Sequence, residues 1–341
     1  MSKPRNADRG IAAILAATLT AASASTAFAA DPAPRPETSP RSRVTAERAA
    51  WRADNAGSPR VFGGTPAQKG AFSFPVALLN TEYLDETPES QPNAQFCGGS
   101  LIAPQWVLTA GHCLVDEGEA VGAETITVLV GATNLAEGRR VAVVEVRPHE
   151  GYSDITLEND LGLIKLAEPV DVAPVALAPS DPGDGVKATL VGWGMLEDGS
   201  YPDDLMQTEI GVVPNKSCND GIKGVYANDF RAYLSQYGKF MKVPQETVDR
   251  ATALIAGVMG DPLGDKMMCA GVPSGARSSC FGDSGGPLFV TDGATSTQVG
   301  IVSWGEGPED AEIKCGHAEL YAVYTRVAQY RDWIASVTGA K

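Results

Sequence analysis

The sequence is short of basic residues. It has 27 lysines and arginines against 42 aspartates and glutamates, a net charge of −15 over 341 residues. Residues 1–60 hold 9 basic and 5 acidic residues, which leaves 18 basic and 37 acidic residues beyond them. A surface of this sign repels phosphate groups, which argues against nucleic acid or an anionic membrane as a partner.

The cysteines lack the spacing of a metal site. None of the six belongs to a CxxC pair, the spacing typical of structural zinc sites, so we predict no metal ligands among them. Beyond the N-terminal region, no apolar run approaches transmembrane length. The hydrophobic fraction of 43% is ample for a sizeable core. The composition therefore indicates a globular protein, and its even number of cysteines favours disulfides if the compartment is oxidising.

The N-terminus indicates that compartment. Three basic residues within the first nine positions precede an alanine-rich apolar run over 11–28, which ends in the small-x-small pattern Ala27-Phe28-Ala29. This arrangement predicts a cleaved signal peptide over 1–29, with a membrane anchor as the alternative. We therefore expect a secreted, extracellular protein that has no membrane association once the signal is removed.

Residues 30–60 differ in composition from the rest of the chain. They are rich in Pro, Arg, Ser and Ala and have few large apolar side chains. Such a segment is not core material, and by itself it predicts a linker or a disordered tail. It ends at Arg60, immediately before the sequence Val61-Phe62-Gly63-Gly64.

Three separate motifs contain residue types used in nucleophilic catalysis. Ser284 lies in the glycine-rich string CFGDSGGP over 280–287, His112 in LTAGHC over 108–113, and Asp160 in NDLGLIKL over 159–166. A serine hydroxyl is inert at neutral pH unless a base takes its proton, and that base needs a carboxylate to orient it. The chain order His, Asp, Ser is that of chymotrypsin-type enzymes and differs from the order in subtilisins and α/β-hydrolases.

From about Val61 to the C-terminus the chain thus resembles the trypsin/chymotrypsin family of serine endopeptidases. Many short β-rich runs broken by Gly, Pro and Asp predict a β-sandwich or barrel, and the pattern alone does not choose between them. The resemblance implies an all-β fold of two six-stranded antiparallel barrels, closed by a C-terminal helix over 327–337. The peptidase domain is then 61–341.

The same resemblance assigns catalytic roles. His112 is the general base, Asp160 holds its imidazole in the correct tautomer, and Ser284 is the nucleophile. The backbone N–H groups of Gly282 and Ser284 form the oxyanion hole. The remaining histidines, His149 and His317, are expected to be ordinary loop residues.

The Arg60–Val61 junction is similar to the activation site of the family, which makes residues 30–60 a propeptide. Cleavage after Arg60 would free an ammonium at Val61, which would pair with Asp283 beside the nucleophile and set the oxyanion loop. The precursor is then a zymogen.

The resemblance also pairs all six cysteines. The implied disulfides are Cys97–Cys113, Cys218–Cys269 and Cys280–Cys315. The first braces the loop that carries His112, and the third closes the walls of the specificity pocket.

Specificity depends on Ser278, which stands where trypsin-like members carry an aspartate at the base of the pocket. Without that charge a basic substrate side chain would be buried unpaired, so we predict a pocket for medium to large apolar side chains. The predicted pocket residues are Ser278, Ser303, Trp304, Gly305 and Ala322. Trypsin-like cleavage after Arg or Lys remains the alternative, through an acidic group such as Glu306 or Glu319 at the rim. If the pocket is apolar, another protease must cleave after Arg60.

The resemblance implies an insertion at about residues 219–266, because most family members have a much shorter connection there. Phe230, Tyr233, Leu234 and Tyr237 recur at helical spacing, and a second helical run begins near Pro244. Either these helices only pack on the barrel, or they form a lid or wall beside the acyl-side subsites.

The segment 82–93 is expected to be an exposed loop beside the cleft.

The expected partners are protein or peptide substrates, an activating protease and protein inhibitors, and the enzyme is expected to be a monomer. No cofactor is predicted. Calcium stays open, because the loop 131–140 offers only Asn134 and Glu137 as oxygen ligands. A non-catalytic binding protein on a protease scaffold is the alternative from a different functional class.

Overall fold

The computed structural model of the chain describes residues 39–54 and 63–339. The predicted signal peptide and the residues Arg60 and Val61 lie outside the described residues. Within them, the sixteen strands are β1 (Thr65–Pro66), β2 (Pro75–Asn80), β3 (Gln95–Ala103), β4 (Trp106–Thr109), β5 (Val115–Asp116), β6 (Glu119–Ala120), β7 (Ile126–Val130), β8 (Arg139–Pro148), β9 (Gly162–Leu166), β10 (Ala176–Leu177), β11 (Lys187–Gly192), β12 (Met206–Val213), β13 (Met267–Gly271), β14 (Pro287–Asp292), β15 (Thr295–Trp304) and β16 (Ala322–Arg326).

The helices are fewer. The described α-helices are α1 (Pro40–Asp54), α2 (Gln91–Ala94), α3 (Asn215–Met241), α4 (Gln245–Val258) and α5 (Arg331–Thr338). Short 3₁₀ turns lie at Thr81–Tyr83, Pro88–Ser90, Gly111–Cys113, Ala123–Thr125 and Val327–Tyr330.

Six strands close into a first barrel in the order β2-β3-β4-β9-β8-β7. All pairs are antiparallel, with, for example, Val76 opposite Val130 and Leu108 opposite Leu163. Successive side chains point to opposite faces of a strand, so the adjacent Leu163 and Ile164 of β9 lie on opposite sides of the barrel wall. Both are fully buried, as is Val128 of β7.

The second barrel is the ring β11-β14-β15-β16-β13-β12, which closes where Val212 pairs with Ala270. Strand β1 adds to its edge at β12, and β10 runs parallel to β15. The two antiparallel six-stranded barrels confirm the predicted all-β, chymotrypsin-like fold.

Helix α1 corrects the prediction for residues 30–60. The segment has few large apolar residues, yet Val44, Thr45 and Arg48 on one helix face are 0–1% exposed, and Val44 joins the core of the first barrel. The helix begins at Pro40, whose fixed φ suits a first helical turn. Residues 40–54 are therefore a docked helix and part of the packed structure.

The insertion is helical as predicted, but its packing face is different. Helix α3 is anchored by Cys218 and Ile222 near its start and ends where Lys242 takes a left-handed conformation at φ 58°. Tyr233 and Tyr237 of the predicted apolar stripe are more than half exposed. Helix α3 contacts β13 and packs against α4, and Tyr226 and Asp229 in its middle bond to Glu306 and to the backbone N–H of Glu309.

The loop 82–93 is exposed up to residue 89, as expected. Its end is different, because Gln91 and Pro92 are buried in the short helix α2. Gln91 donates to Leu135 O and Glu137 O, and its own oxygen accepts from Arg140. This polar anchor, together with the buried Pro92 and Ala94, holds a segment with few apolar residues on the barrel.

At the C-terminus, the predicted helical segment begins as a 3₁₀ turn and continues as α5, which buries Ile334. Trp333 is partly buried and donates from Nε1 to Glu150. In the residues that the structure describes, no helix is both long and apolar enough to span a membrane.

Candidate active site

His112 and Asp160 are joined by two hydrogen bonds. Strand β4 ends at Thr109 and the 3₁₀ turn Gly111–Cys113 follows it, while Asp160 lies two residues before β9, which pairs with β4. Asp160 Oδ2 lies 2.8 Å from His112 Nδ1, and Oδ1 accepts from the His112 backbone N–H at 2.9 Å. Both the ring and the backbone of His112 are thereby fixed against one carboxylate.

Asp160 also bonds to the second barrel. Ser303 Oγ on β15 donates to its Oδ2, and Thr325 Oγ1 on β16 donates to its backbone carbonyl at 2.7 Å. Burial alone raises the pKa of Asp160, but the attraction of His112 and the hydrogen bonds from His112 and Ser303 outweigh it. The pKa therefore lies below its ordinary value, and this buried carboxyl is ionised at neutral pH.

Ser284 lies on the turn between the two barrels. Its carbonyl accepts from Gly98 N on β3 at 2.7 Å, and the next residue, Gly285, donates to Val302 O on β15 at 2.8 Å. Gly285 has φ 79°, and a Cβ there would lie 2.1 Å from Thr109 Oγ1. A glycine is therefore needed for this turn to approach Thr109 closely, three residues from His112.

Gly282 and Asp283 set the shape of the loop before Ser284. Gly282 has φ 96°, which favours glycine, and its carbonyl accepts from Gln95 Nε2 at 2.8 Å. The buried Asp283 carboxylate accepts from the backbone N–H groups of Gly194 and Cys280 at 2.8 and 2.9 Å. Burial raises the pKa of Asp283 to about 6, although these N–H groups act in the opposite direction.

The predicted pocket residues converge on the second barrel. Ser278, Ser303 and Ala322 are buried, at 6%, 6% and 3% exposed, and Trp304 pairs with Val323 across β15 and β16. A Cβ on Gly305 would lie 3.9 Å from Ala322 Cα, so these two residues face each other. Gly305 and Ala322 therefore lie close together, and the buried Ser278 carries a neutral hydroxyl.

The two acidic residues proposed for the rim are in different situations. Glu306 accepts from Tyr226 O–H on α3 at 2.5 Å, and burial raises its pKa above the ordinary value. Glu319 is exposed, with φ 61°. The insertion thus contacts the segment directly after Gly305.

The three disulfides join Cys97 to Cys113, Cys218 to Cys269 and Cys280 to Cys315. They are the pairs implied by the resemblance. The sulfurs of Cys97 and Cys113 lie close to the His112 ring, but because they are bonded to each other they provide no thiolate for a metal.

The loop 131–140 does not fit a calcium ion. Asn134 Oδ1 accepts from Ala136 N, and the Glu137 carboxylate pairs with Lys69 at 2.9 Å. Calcium takes six to eight oxygen ligands, and the two oxygen-bearing residues here already bind protein groups.

The other two histidines lie apart from Ser284. The ring of His149 packs against Tyr330 and Trp333, and His317 Nε2 lies 2.7 Å from Ile313 O. These packing and hydrogen-bond contacts give both histidines a structural role.

Three residues of the site have no sequence motif. Gln95 holds the Gly282 carbonyl, Thr325 holds the Asp160 carbonyl, and Tyr324 is fully buried between the pocket strands. The one signal is a polar side chain within an otherwise apolar strand, as in QFCGGSLIA of β3. A polar residue at such a position needs a hydrogen-bond partner, but the sequence does not identify that partner.

The chain is similar to known proteins over most of its length. The family model described as Trypsin matches residues 61–334. Trypsin 5G1 of Aedes aegypti is 33% identical over 290 residues, which cover 83% of this chain and 86% of that protein. Trypsin-3 of Salmo salar is 30% identical over 287 residues, which cover 81% of this chain and 92% of that protein. Mannan-binding lectin serine protease 1 of Rattus norvegicus is 33% identical over 303 residues, but the match spans only 36% of that longer protein.

Proposed function

Because the chain belongs to the trypsin family of serine endopeptidases, we propose that it hydrolyses peptide bonds through a triad of Ser284, His112 and Asp160. The observation that carries the proposal is the doubly hydrogen-bonded pair of His112 and Asp160, placed beside the glycine turn of Ser284. An ionised carboxylate on Nδ1 favours the tautomer whose Nε2 accepts a proton.

In this mechanism Ser284 Oγ attacks the carbonyl carbon of the scissile bond and transfers its proton to His112 Nε2. The negative charge on the carbonyl oxygen is stabilised by the N–H groups of Gly282 and Ser284. His112 then protonates the leaving amine, and an acyl-enzyme remains on Ser284. Water, deprotonated by His112, hydrolyses that ester and regenerates the hydroxyl.

The pocket bounded by Ser278, Ser303, Trp304, Gly305 and Ala322 sets the specificity. Its base has a neutral hydroxyl at Ser278, and the methyl group of Ala322 narrows its wall. A medium to large apolar side chain fits these walls, whereas a buried Arg or Lys would find no carboxylate at the base.

The precursor is exported and activated by cleavage after Arg60. The buried Asp283 carboxyl supports this step, since its raised pKa marks a charge that the surrounding protein does not fully compensate. A new ammonium at Val61 would supply the missing positive charge. An apolar pocket implies that a different protease makes the cut.

The first test is hydrolysis of matched peptides with Phe, Leu, Ala, Arg or Lys before the scissile bond by the form that begins at Val61. We expect Phe or Leu to be preferred, and we expect Ser284→Ala to lower kcat about 10⁶-fold. Ser278→Asp should shift the preference toward Arg and Lys, and Ser278→Asn is the matched neutral control. Preference of the wild type for Arg would instead mean that an acidic group elsewhere, such as Glu306 or Glu319, reaches the pocket.

Complete inactivity on every peptide, together with failure of Ser284 to react with a serine-directed covalent probe, would contradict the proposed function. It would favour a non-catalytic binding protein, which is the other class consistent with an exported scaffold of this kind.

A further inference from the structure

Helix α1 belongs to the segment that we propose is removed on activation, yet it is deeply packed. Thr45 and Arg48 are 0% exposed and Val44 is 1% exposed. A segment that served only as a spacer would have no reason to bury a charged side chain, because an unpaired buried charge is costly. The contacts of Arg48 therefore indicate what the helix does.

Arg48 is held on three sides. Its guanidinium donates to the carbonyls of Pro92 and Trp193, and it stacks over the Tyr201 ring, 4.6 Å from the centroid. Burial lowers its pKa to about 9, so it is still largely charged at neutral pH. Trp193 directly precedes Gly194, the residue whose N–H binds Asp283. Arg48 thus anchors α1 to the loops that support Asp283.

Neighbouring residues of α1 extend this contact. The Arg43 guanidinium lies 4.2 Å from the Phe281 ring, which is adjacent to Gly282, and Glu47 accepts from Tyr201 O–H at 2.8 Å. Arg52 pairs with Asp203. Helix α1 also packs against β3 and the turn Gly111–Cys113 that carries His112. The helix therefore contacts both the predicted oxyanion loop and the histidine turn.

The position of α1 defines which half of the cleft it covers. Ser284 lies between β3, through Gly98, and β15, through the residue after it. The proposed specificity pocket lies on the β15 side, so the acyl part of a substrate lies there and the leaving group extends toward β3. Helix α1 packs on β3, and so it lies across the leaving-group side.

We propose that helix α1 is an inhibitory ligand of the peptidase domain, seated across the leaving-group side of the cleft and anchored by Arg48. The inference rests on the proposed function, which defines the cleft. Cleavage after Arg60 then leaves the helix in place, and its dissociation is a second, separate step of activation.

The test uses the full precursor with residues 56–60 replaced by the recognition sequence of a sequence-specific tool protease, so that cleavage leaves Val61 first and spares the arginines of α1. Binding is measured in the Ser284→Ala background by size-exclusion co-elution of the released fragment, over a dilution series. We expect the wild-type fragment to be retained and Arg48→Ala to weaken its affinity at least about 30-fold. The matched control Arg231→Ala, on exposed helix α3, should change it less than about 2-fold.

Activity is then measured with Ser284 intact. Dilution of the cleaved wild type should raise the rate per enzyme molecule toward the rate of cleaved Arg48→Ala. Peptides with two or more residues after the scissile bond should be inhibited more strongly than esters with a small leaving group. Equal inhibition of both substrates would overturn the placement of α1, and a retained fragment with full peptide hydrolysis would overturn its inhibitory role.

The binding experiment does not depend on catalysis, which separates the two proposals. If the cleaved wild type lost the fragment as readily as the Arg48→Ala variant does, the inference about α1 would be overturned and the proposed function would be unaffected. Release of the fragment from Arg48→Ala without any reaction of Ser284 with a serine-directed probe would overturn the proposed function.

Discussion

Helix α1 and the helix pair α3–α4 are both additions to the two barrels, but α1 buries a charged side chain whereas α3–α4 leaves apolar side chains exposed. Helix α1 buries the charged Arg48 completely, whereas α3 and α4 leave Phe240, Leu254 and Val258 83%, 70% and 75% exposed. The barrel offers α1 two carbonyls and an aromatic ring at the right place, whereas Phe240, Leu254 and Val258 of α3–α4 stay largely uncovered. Complementary partners, more than the apolarity of the helix itself, decide which helix docks.

The largest expected effect comes from removing one arginine from α1 and, for comparison, one from α3. In the Ser284→Ala precursor, Arg48→Ala removes a buried donor from two carbonyls and should lower the free energy of unfolding by about 3 kcal/mol. Arg231→Ala breaks an exposed ion pair with Asp249 and should cost less than about 1 kcal/mol. Urea unfolding, with hydrogen exchange of the α1 amides, measures both. Equal losses of unfolding free energy in the two variants would contradict the proposed difference between α1 and the helix pair α3–α4.

The second effect concerns pH and the carboxyl beneath α1. Because the pKa of Asp283 is raised to about 6 from 3.8, the folded precursor keeps a proton that the unfolded chain has lost between these values. The stabilisation from this proton is present below about pH 4 and is lost as pH rises through about 6, with a ceiling of about 3 kcal/mol. Asp283→Asn, compared with the parent precursor in urea unfolding from pH 4 to 7.5, should remove this part of the pH dependence.

The processed form sharpens that second test. Once the Val61 ammonium faces Asp283, the charged carboxylate is favoured. At pH 7, Asp283→Asn should therefore lower the free energy of unfolding of the processed form more than that of the precursor. The exposed carboxylate of Asp249 on α4 provides the control, since Asp249→Asn should behave alike before and after cleavage. A parent-minus-variant difference that is constant with pH would contradict the assignment to Asp283.

The smallest effect is the truncation of apolar side chains. Val44→Ala removes two buried methyl groups from the α1 face and should lower the free energy of unfolding by about 1.5 kcal/mol. Leu254→Ala on α4 truncates a side chain that is 70% exposed and should change it by less than about 0.5 kcal/mol. Thermal unfolding in the Ser284→Ala background compares the two. A larger loss at Leu254 would show that α4 is packed in solution.

The sequence predicted the barrels through three motifs and a resemblance, and it predicted helices in the insertion through periodicity. The same periodicity gave the wrong face, since Tyr233 and Tyr237 are exposed, because spacing shows which residues align and not whether a surface exists to cover them. Helix α1 escaped prediction because its main buried side chain is an arginine, a residue type that is rarely fully buried.

Within the candidate site, the motifs pointed to Ser284, His112 and Asp160, but not to the residues that hold them. Gln95 and Thr325 act on backbone carbonyls that lie 187 and 165 positions away in sequence. Such contacts arise only when the barrels are assembled, so no local pattern signals them. Ser303 was predicted for the pocket alone, and the structure adds its hydrogen bond to Asp160.

The bonds of Asp160 have a consequence for the order of synthesis. The first barrel leaves the ribosome before the second, with Asp160 and His112 already in the same half of the chain. Ser303 and Thr325, which complete the carboxylate and its carbonyl, arrive more than 140 residues later. The half-made chain therefore has His112 and Asp160 but lacks Ser284 and the two residues that donate to Asp160. On the proposed function, the groups needed for catalysis come together only after the last strands have been translated and have closed against the first, and the two proposed activation steps follow.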